Sequence, residues 1–293
     1  MIFGKFLNSL RVMNLLPKSR KAWWKGTYEG IVLRLPRGEV VCDDALHFLN
    51  CLTDECADIV FLDPPFNLGK SYGSSSRKDD LLNENKYLKY MTSVLWRCAA
   101  ILKEGGALYL YHIPRWAVRL STVLGHDLQF RHWIAVAVKN GFVRGRYLHP
   151  AHYALLYYTK GDPAHFNRPK IPIAKCRKCG ESVKDYGGYK KYVQNGLNLS
   201  DVWEDVSPVR HQKFKHRSSN QIPIKIPARA VEISGISGGL LVDPFAGTGT
   251  SLVAATVKGM RYVACDREKA MLSIMEKRFR NFHNEPNGQQ EKR

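Results

Sequence analysis

The sequence is poor in acidic residues. Its 26 Asp and Glu side chains stand against 45 Lys and Arg, which gives a formal net charge of +19 and an isoelectric point near 9.7. Residues 1–28 contain no acidic side chain at all. Because neutralising phosphates supplies most non-specific affinity for nucleic acids, this imbalance predicts an anionic polymer as the partner. A cationic surface that serves only solubility is the alternative.

The sequence also lacks long apolar runs and a disulfide pattern. No stretch approaches the roughly 18 apolar residues of a membrane span, and no secretory apolar segment follows the N-terminus. We therefore expect no membrane contact. Of the seven cysteines, five lie in apolar strand or helix patterns, which is typical of free thiols in a reducing compartment: Cys42, Cys51, Cys56, Cys98 and Cys265. A prokaryotic cytoplasmic location is expected. Residues 1–29 are interpreted as a basic arm on DNA, with an organellar transit peptide as the alternative.

A glycine turn follows a short apolar run late in the chain. Residues 240–242 predict a strand and residues 251–260 a helix, so the turn lies between strand and helix. The next apolar run ends at Asp266, about 20 residues after the turn, where nucleoside-binding units place a ribose-holding carboxylate. The predicted cofactor loop comprises Asp243, Pro244, Phe245, Ala246, Gly247, Thr248, Gly249 and Thr250.

The residues that this loop lacks narrow the choice of nucleoside. A phosphate-binding loop needs a Lys after its last glycine, but Thr250 follows Gly249. A dinucleotide site needs a third small residue where Leu252 stands, and the Asp243 carboxylate would repel a pyrophosphate. S-adenosylmethionine has no phosphate and carries an ammonium and a sulfonium group, so it suits acids beside a glycine turn. An ordinary turn without a ligand is the alternative.

An Asp-Pro-Pro-Phe sequence occurs early in the chain. Residues 57–62 form a near-continuous apolar run, typical of a strand buried on both faces, and Asp63 is the first residue to leave it. Pro64 and Pro65 stiffen the chain and have no backbone N–H, while Phe66 offers a flat apolar face. Because open α/β sheets bind ligands at the carboxyl ends of their strands, we expect Asp63 and Gly247 to share one crevice.

These residue types suit methylation of an exocyclic base amine. The amine of adenine or cytosine is a poor nucleophile, because its lone pair is delocalised into the ring. The Asp63 carboxylate and the Pro64 carbonyl can each accept one N–H and direct the lone pair toward a sulfonium methyl. Phe66 is expected to support a base that has left the helix stack. Methylation at carbon 5 of cytosine would need a thiolate, usually from a Pro-Cys dipeptide, and no cysteine here follows a proline.

Both loops resemble those of the amino-group DNA methyltransferases, the N6-adenine/N4-cytosine family, in the permuted order with the catalytic loop first. The resemblance implies an α/β, Rossmann-like methyltransferase fold with a mostly parallel twisted sheet, an antiparallel edge and an inserted target-recognition region. It also implies S-adenosylmethionine as cofactor, with Asp44 near the cofactor adenine and Asp43 as the fallback. A homodimer and a cognate restriction endonuclease are partners that the resemblance allows.

Several alternatives remain open within and outside this family. Adenine N6 is the predicted acceptor, because Asp at the head of the catalytic loop is commoner with adenine in this family. Cytosine N4 and an amine of an RNA base are the alternatives. Outside the enzyme class, a nucleic-acid-binding protein that has lost catalysis would keep the same fold. A nucleotide-dependent oxidoreductase is a third hypothesis, which predicts NAD binding.

The predicted domain limits follow the two loops. Residues 30–160 form the catalytic half, 161–221 the target-recognition insert, 222–283 the cofactor-binding half and 284–293 a disordered tail. Basic side chains in the insert and in the loop around residue 145 are the predicted DNA contacts: Arg144, Arg146, Lys190, Lys191, Arg210, Lys213, Lys215 and Arg217. Cys176 and Cys179 have the spacing of half a zinc knuckle, with His211 and His216 as a compatible second pair. A metal-free turn is the alternative.

Overall fold

The computed structural model of the chain describes residues 15–19, 21–68, 82–138, 146, 148–173, 176, 178–181, 196–207, 209 and 221–284. In these residues strands and helices alternate through most of the chain. They are β1 (Leu15–Ser19), β2 (Tyr28–Leu35), β3 (Gly38–Cys42), α1 (Ala45–Cys51), β4 (Ala57–Leu62), α2 (Glu84–Ile101), β5 (Leu102–His112), α3 (Pro114–Asp127), β6 (Gln129–Ala137), β7 (His152–Thr159), β8 (Lys170–Ile171), β9 (Leu197–Asn198), β10 (Val202–Trp203), α4 (Lys225–Ser234), β11 (Leu240–Asp243), α5 (Thr250–Lys258), β12 (Arg261–Asp266) and α6 (Lys269–Asn284).

One large mixed sheet organises the molecule. Its strand order is β1-β2-β3-β12-β11-β4-β5-β7-β6-β10. The five strands from β3 to β5 are parallel, and β7 runs antiparallel between β5 and β6. This arrangement confirms the predicted α/β fold with an antiparallel part. Strands β11 and β12, late in the chain, lie between the early strands β3 and β4, so the two predicted loops belong to neighbouring strands.

Helices cover both faces of the parallel strands. Val60 and Leu62 of β4 face a core shared with α1, α2 and α3, whereas Ile59 and Phe61 face a core shared with α4, α5 and α6. A strand buried on both faces needs apolar residues at consecutive positions, because neither face meets water. This requirement explains the continuous apolar run at residues 57–62.

The segment before residue 29 packs against the rest of the fold. Strand β1 pairs with β2, and the indoles of Trp23 and Trp24 are only 7% and 5% exposed. The backbone N–H of Lys25 donates to the carbonyl of Cys51 at 2.9 Å. Burial of two large aromatic side chains holds this segment against the core, and the limit of a basic arm at residue 29 stays a prediction. Residues 1–14 lie outside the described part.

The predicted insert is attached to the sheet at its base. Strands β8 and β9 pair antiparallel, and β10 adds to the sheet beside β6. Arg229 of α4 binds the Asp205 carboxylate with two hydrogen bonds of 2.8 and 2.6 Å and lies over the Trp203 ring at 5.0 Å. The end of the insert is thus docked on the cofactor-binding half. In the part of the chain described, no helix is both long and apolar enough to cross a membrane.

Gly38 provides a test of the strand pairing between β3 and β12. A Cβ atom at this position would overlap the carbonyl oxygen of Tyr262, whereas a Cβ at Gly26 would meet no atom within 4 Å. We expect Gly38→Ala to lower the free energy of unfolding by about 1–3 kcal/mol, because the two strands must separate. Gly26→Ala should change it by less than about 1 kcal/mol. Urea unfolding of both variants measures this, and equal effects would contradict the described packing.

Candidate active site

Acidic side chains line the carboxyl edge of the parallel strands. Asp44 follows β3, Asp266 ends β12, Asp243 ends β11 and Asp63 follows β4. Strands β11 and β4 pair in parallel, with Leu241 opposite Ile59 and Val242 opposite Val60. The ends that carry Asp243 and Asp63 therefore lie side by side, and the structure brings the two predicted loops to one edge of the sheet.

The Asp63 carboxylate is the unpaired acid of this edge. Asp63 is half-buried, Pro64 is buried and Pro65 is exposed. Among the described residues, no donor hydrogen-bonds to the Asp63 carboxylate. Burial, and repulsion by the Asp243 carboxylate, raise the pKa of Asp63 well above its usual range. An acceptor of this kind is available to a ligand in the crevice, and its raised pKa makes it a better base.

Phe66 belongs to an aromatic cluster beside Asp63. Its ring centroid lies 5.0 Å from that of His112, 5.5 Å from that of Tyr153 and 6.1 Å from that of Tyr111. Tyr111 is close enough to Asp63 that the carboxylate contributes, after burial, to raising the pKa of the Tyr111 hydroxyl. Sequence reasoning missed His112, Tyr111 and Tyr153, because only the pairing of β5 with β4 and β7 brings them to this loop.

Asp243 supports the glycine turn from inside the protein. It is 2% exposed, and its carboxylate accepts hydrogen bonds from the Phe245 N–H at 2.9 Å and from the Ser251 hydroxyl. Burial raises the pKa of Asp243 to about 7, although these hydrogen bonds oppose the rise. The sequence indicated a charge presented beside the turn, but the carboxylate instead bonds to the turn itself.

Four backbone N–H groups of the turn are bonded within the protein. Phe245 donates to Asp243, Ala246 to the carbonyl of Cys265, Gly247 to the Asp266 carboxylate and Gly249 to the carbonyl of Ala246, at 2.7–2.9 Å. A phosphate-binding loop requires free N–H groups, so these four groups are not available to a phosphate. Gly247 has φ +53°, and a Cβ there would meet open space. A ligand can therefore approach its backbone closely.

Two more predicted acids lie at the same edge. Asp266 accepts from the N–H of Gly247 at 2.8 Å and of Glu268 at 2.9 Å, and burial raises its pKa to about 6. Asp44 is exposed and caps α1 through the N–H of Leu46 at 2.9 Å. Both side chains keep acceptor capacity toward the crevice, because each carboxylate oxygen has two lone pairs.

Arg278 of α6 also holds the glycine turn. It donates to the carbonyl oxygen of Thr248 at 3.1 Å and to the hydroxyl of Thr250 at 2.9 Å. No sequence signal marks this contact, since Arg278 lies in a helix with several other basic residues and only packing selects it.

Comparison with known proteins identifies the family. The family model described as DNA methylase, which is that of the N6 and N4 methyltransferases, matches residues 57–277. The chain belongs to the DNA methylase family. It is 39% identical over 246 residues to the type II methyltransferase M.BamHI of Bacillus amyloliquefaciens, covering 83% of this chain and 57% of that protein. It is 30% identical over 216 residues to M.HpaI of Haemophilus parainfluenzae, covering 72% and 64%. The chain thus spans less than two thirds of each relative.

A solved structure has the same fold as this chain. The putative DNA modification methylase TTHA0409 of Thermus thermophilus, crystallised with S-adenosyl-L-methionine, superposes with a TM-score of 0.54 at 16% identity. The match covers 84% of this chain and 95% of that structure. At this identity the likeness concerns the fold alone, and it agrees with the predicted Rossmann-like architecture.

The remaining predicted site residues are only partly described. Arg146 is exposed, whereas Arg144, Lys190, Lys191, Arg210, Lys213, Lys215 and Arg217 lie outside the described residues. Cys176 and Cys179 form a turn closed by a hydrogen bond from the Gly180 N–H to the Cys176 carbonyl at 2.9 Å. Hydrogen bonds from the backbone of Cys179 and Lys178 lower the pKa of the Cys176 thiol. No group of three or more metal-binding side chains occurs in the described ranges, and His211 and His216 fall outside them, so zinc stays a prediction.

The buried carboxyl of Asp243 predicts a pH-dependent stability. Its pKa is about 7 in the fold and about 4 in an unfolded chain, so the folded state binds more protons between these values. The stabilisation is complete below about pH 4 and is lost as the pH rises through about 7. We expect the free energy of unfolding of the ligand-free protein to fall across this range by on the order of 4 kcal/mol more than that of Asp243→Asn. Urea titrations of both proteins measure it, and parallel pH profiles would contradict the assignment.

Proposed function

We propose that this protein transfers a methyl group from S-adenosylmethionine to an exocyclic amine of a base in DNA. The observation that carries the proposal is the parallel pairing of β4 with β11, which places the Asp63 loop beside the Gly247 turn. One loop offers an unpaired acceptor and the other a close-approach backbone, so donor and acceptor of the methyl group can meet between them.

The cofactor side of the crevice fits a phosphate-free, cationic nucleoside. Four N–H groups of the turn are bonded within the protein and are not available to a phosphate, while the acidic edge favours an ammonium and a sulfonium. We assign the ribose to Asp266 and the adenine to Asp44, as the resemblance implies. The fold neighbour crystallised with S-adenosyl-L-methionine agrees with this choice of cofactor.

The acceptor side fits a flipped base. Asp63 accepts one N–H of the amine and the Pro64 carbonyl the other, so that the nitrogen lone pair points toward the sulfonium methyl. The new N–C bond forms as the C–S bond breaks, and the sulfur keeps the electron pair of the broken bond. The amine proton passes to the Asp63 carboxylate, whose raised pKa makes it a suitable base, and then to water. Phe66 supports the base in the aromatic cluster.

Two bases, adenine and cytosine, carry an exocyclic amine with the two N–H donors that this site requires. Adenine N6 is our prediction, because Asp63 heads the catalytic loop, and cytosine N4 is the alternative. The net charge of +19 favours a nucleic acid as the polymer, with double-stranded DNA proposed over RNA. A homodimer and a cognate restriction endonuclease remain predictions about partners.

The methylated nucleoside that forms identifies both the reaction and the acceptor base. The protein is incubated with isotope-labelled S-adenosylmethionine and unmethylated DNA, and in parallel with RNA, and nucleosides are then separated by mass spectrometry. We expect labelled N6-methyladenine in DNA. Labelled N4-methylcytosine would correct the base and keep the chemistry, whereas 5-methylcytosine or saturable NAD binding would contradict the proposal. Cofactor binding without transfer to either polymer would support the non-catalytic alternative.

Substitution of Asp63 tests its proposed role. Asp63→Ala should lower the transfer rate by about 100-fold or more, because it removes the carboxylate that polarises the amine. The dissociation constant for S-adenosylmethionine, measured by calorimetry, should change by less than about threefold. Asp127→Ala is the matched control, since Asp127 is exposed at the end of α3, on the opposite edge of the sheet. Equal transfer by the two variants would refute the assignment.

A further inference from the structure

A buried histidine lies behind the catalytic loop with a defined tautomer. The Nδ1 atom of His112 accepts a hydrogen bond from the Ile113 N–H at 2.9 Å, so this nitrogen carries no proton. Burial lowers the pKa of His112 to about 3, which keeps the ring neutral. The single ring proton is therefore on Nε2, and Nε2 lies 2.7 Å from the hydroxyl oxygen of Tyr87.

This tautomer gives the hydrogen bonds one direction. His112 Nε2–H donates to the Tyr87 oxygen, and the only hydroxyl proton of Tyr87 is then donated to the Pro65 carbonyl at 2.8 Å. His112 and Tyr87 are 0% and 3% exposed, so water does not compete for these groups. A buried chain of this kind is well satisfied and therefore rigid.

The His112 ring also packs against Phe66. The two rings are stacked at 5.0 Å with an interplanar angle of 28°, and the Tyr87 ring packs on Trp116 at 4.6 Å. One side chain thus fixes the Phe66 ring directly and the Pro65 carbonyl through Tyr87. Because Pro64 and Pro65 have no N–H, carbonyl groups are the only backbone atoms by which this part of the loop can be anchored.

We propose that His112 and Tyr87 are positioning residues that fix the Asp63–Phe66 loop before the base enters. The inference rests on the proposed function. By engaging the Pro65 carbonyl, Tyr87 leaves the Pro64 carbonyl as the loop acceptor beside the Asp63 carboxylate. The pair of acceptors then keeps the spacing that the two N–H groups of one amine require.

Tyr87→Phe isolates the hydroxyl from the packing of the ring. We expect the turnover rate to fall by about tenfold or more, with little change in the affinity for S-adenosylmethionine, because a small shift of the loop misplaces the amine. Tyr158→Phe is the matched control, since its hydroxyl donates to the Ser121 carbonyl at 3.2 Å between β7 and α3. Both variants should lower the melting temperature comparably, so that only the turnover rate separates them.

Variants of His112 test whether the two residues act through one chain. His112→Phe keeps a ring but has no N–H donor, so it breaks the chain. His112→Gln keeps an N–H donor, so its transfer rate should stay within about fivefold of the wild-type rate. The double variant His112→Phe/Tyr87→Phe should be no slower than the slower single variant, because both break the same chain. Additive losses would overturn the coupling.

The outcomes separate the proposal from the function on which it rests. If the wild type transfers methyl groups and Tyr87→Phe matches Tyr158→Phe in rate, the positioning role is overturned and the proposed function stands. If the wild type transfers no methyl groups, the proposed function is wrong, and a role of His112 and Tyr87 in catalysis is ruled out with it. Nitrogen-15 NMR of His112 then still tests the hydrogen-bond chain: the neutral Nε2–H form, perturbed by Tyr87→Phe, supports it, and an Nδ1–H form overturns it.

Discussion

The candidate site depends on one strand pairing. Strand β11, formed late in the chain, lies in parallel beside β4, formed early, so that their carboxyl ends meet. Each end continues into a loop: two prolines restrict the backbone after β4, and two glycines allow positive φ angles in the turn after β11. The strands are buried on both faces by helices, which fixes their register and therefore the separation of the loops. Without this pairing, neither loop would have the partner that its chemistry needs.

The sequence predicted the parts of the site that depend on local residue order. The Asp63 loop and the Gly247 turn were recognisable because a buried parallel strand needs a continuous apolar run, and because a tight turn needs glycine. Open α/β sheets bind ligands at the carboxyl ends of their strands, and this rule predicted that the two loops share one crevice.

Other features depend on packing between distant segments. The contacts of Tyr87, His112 and Tyr153 with the Asp63–Phe66 loop arise from the positions of α2, β5 and β7, and nothing in their local sequence marks them. The inward orientation of Asp243 results from hydrogen bonds to Phe245 and Ser251, which a motif cannot reveal. At the N-terminus, the basic composition indicated an arm on DNA, while burial of Trp23 and Trp24 decides the structure of residues 21–29.

The central claim concerns a shared crevice for the two substrates. A crystal structure with a methyl-free analogue of S-adenosylmethionine and a DNA duplex tests it most directly. The account predicts the analogue on the Gly247 turn and a flipped base with its amine bonded to Asp63 and the Pro64 carbonyl, about 3–3.5 Å from the position of the missing methyl group. An analogue bound away from the turn, or a base whose amine does not reach Asp63, would contradict it.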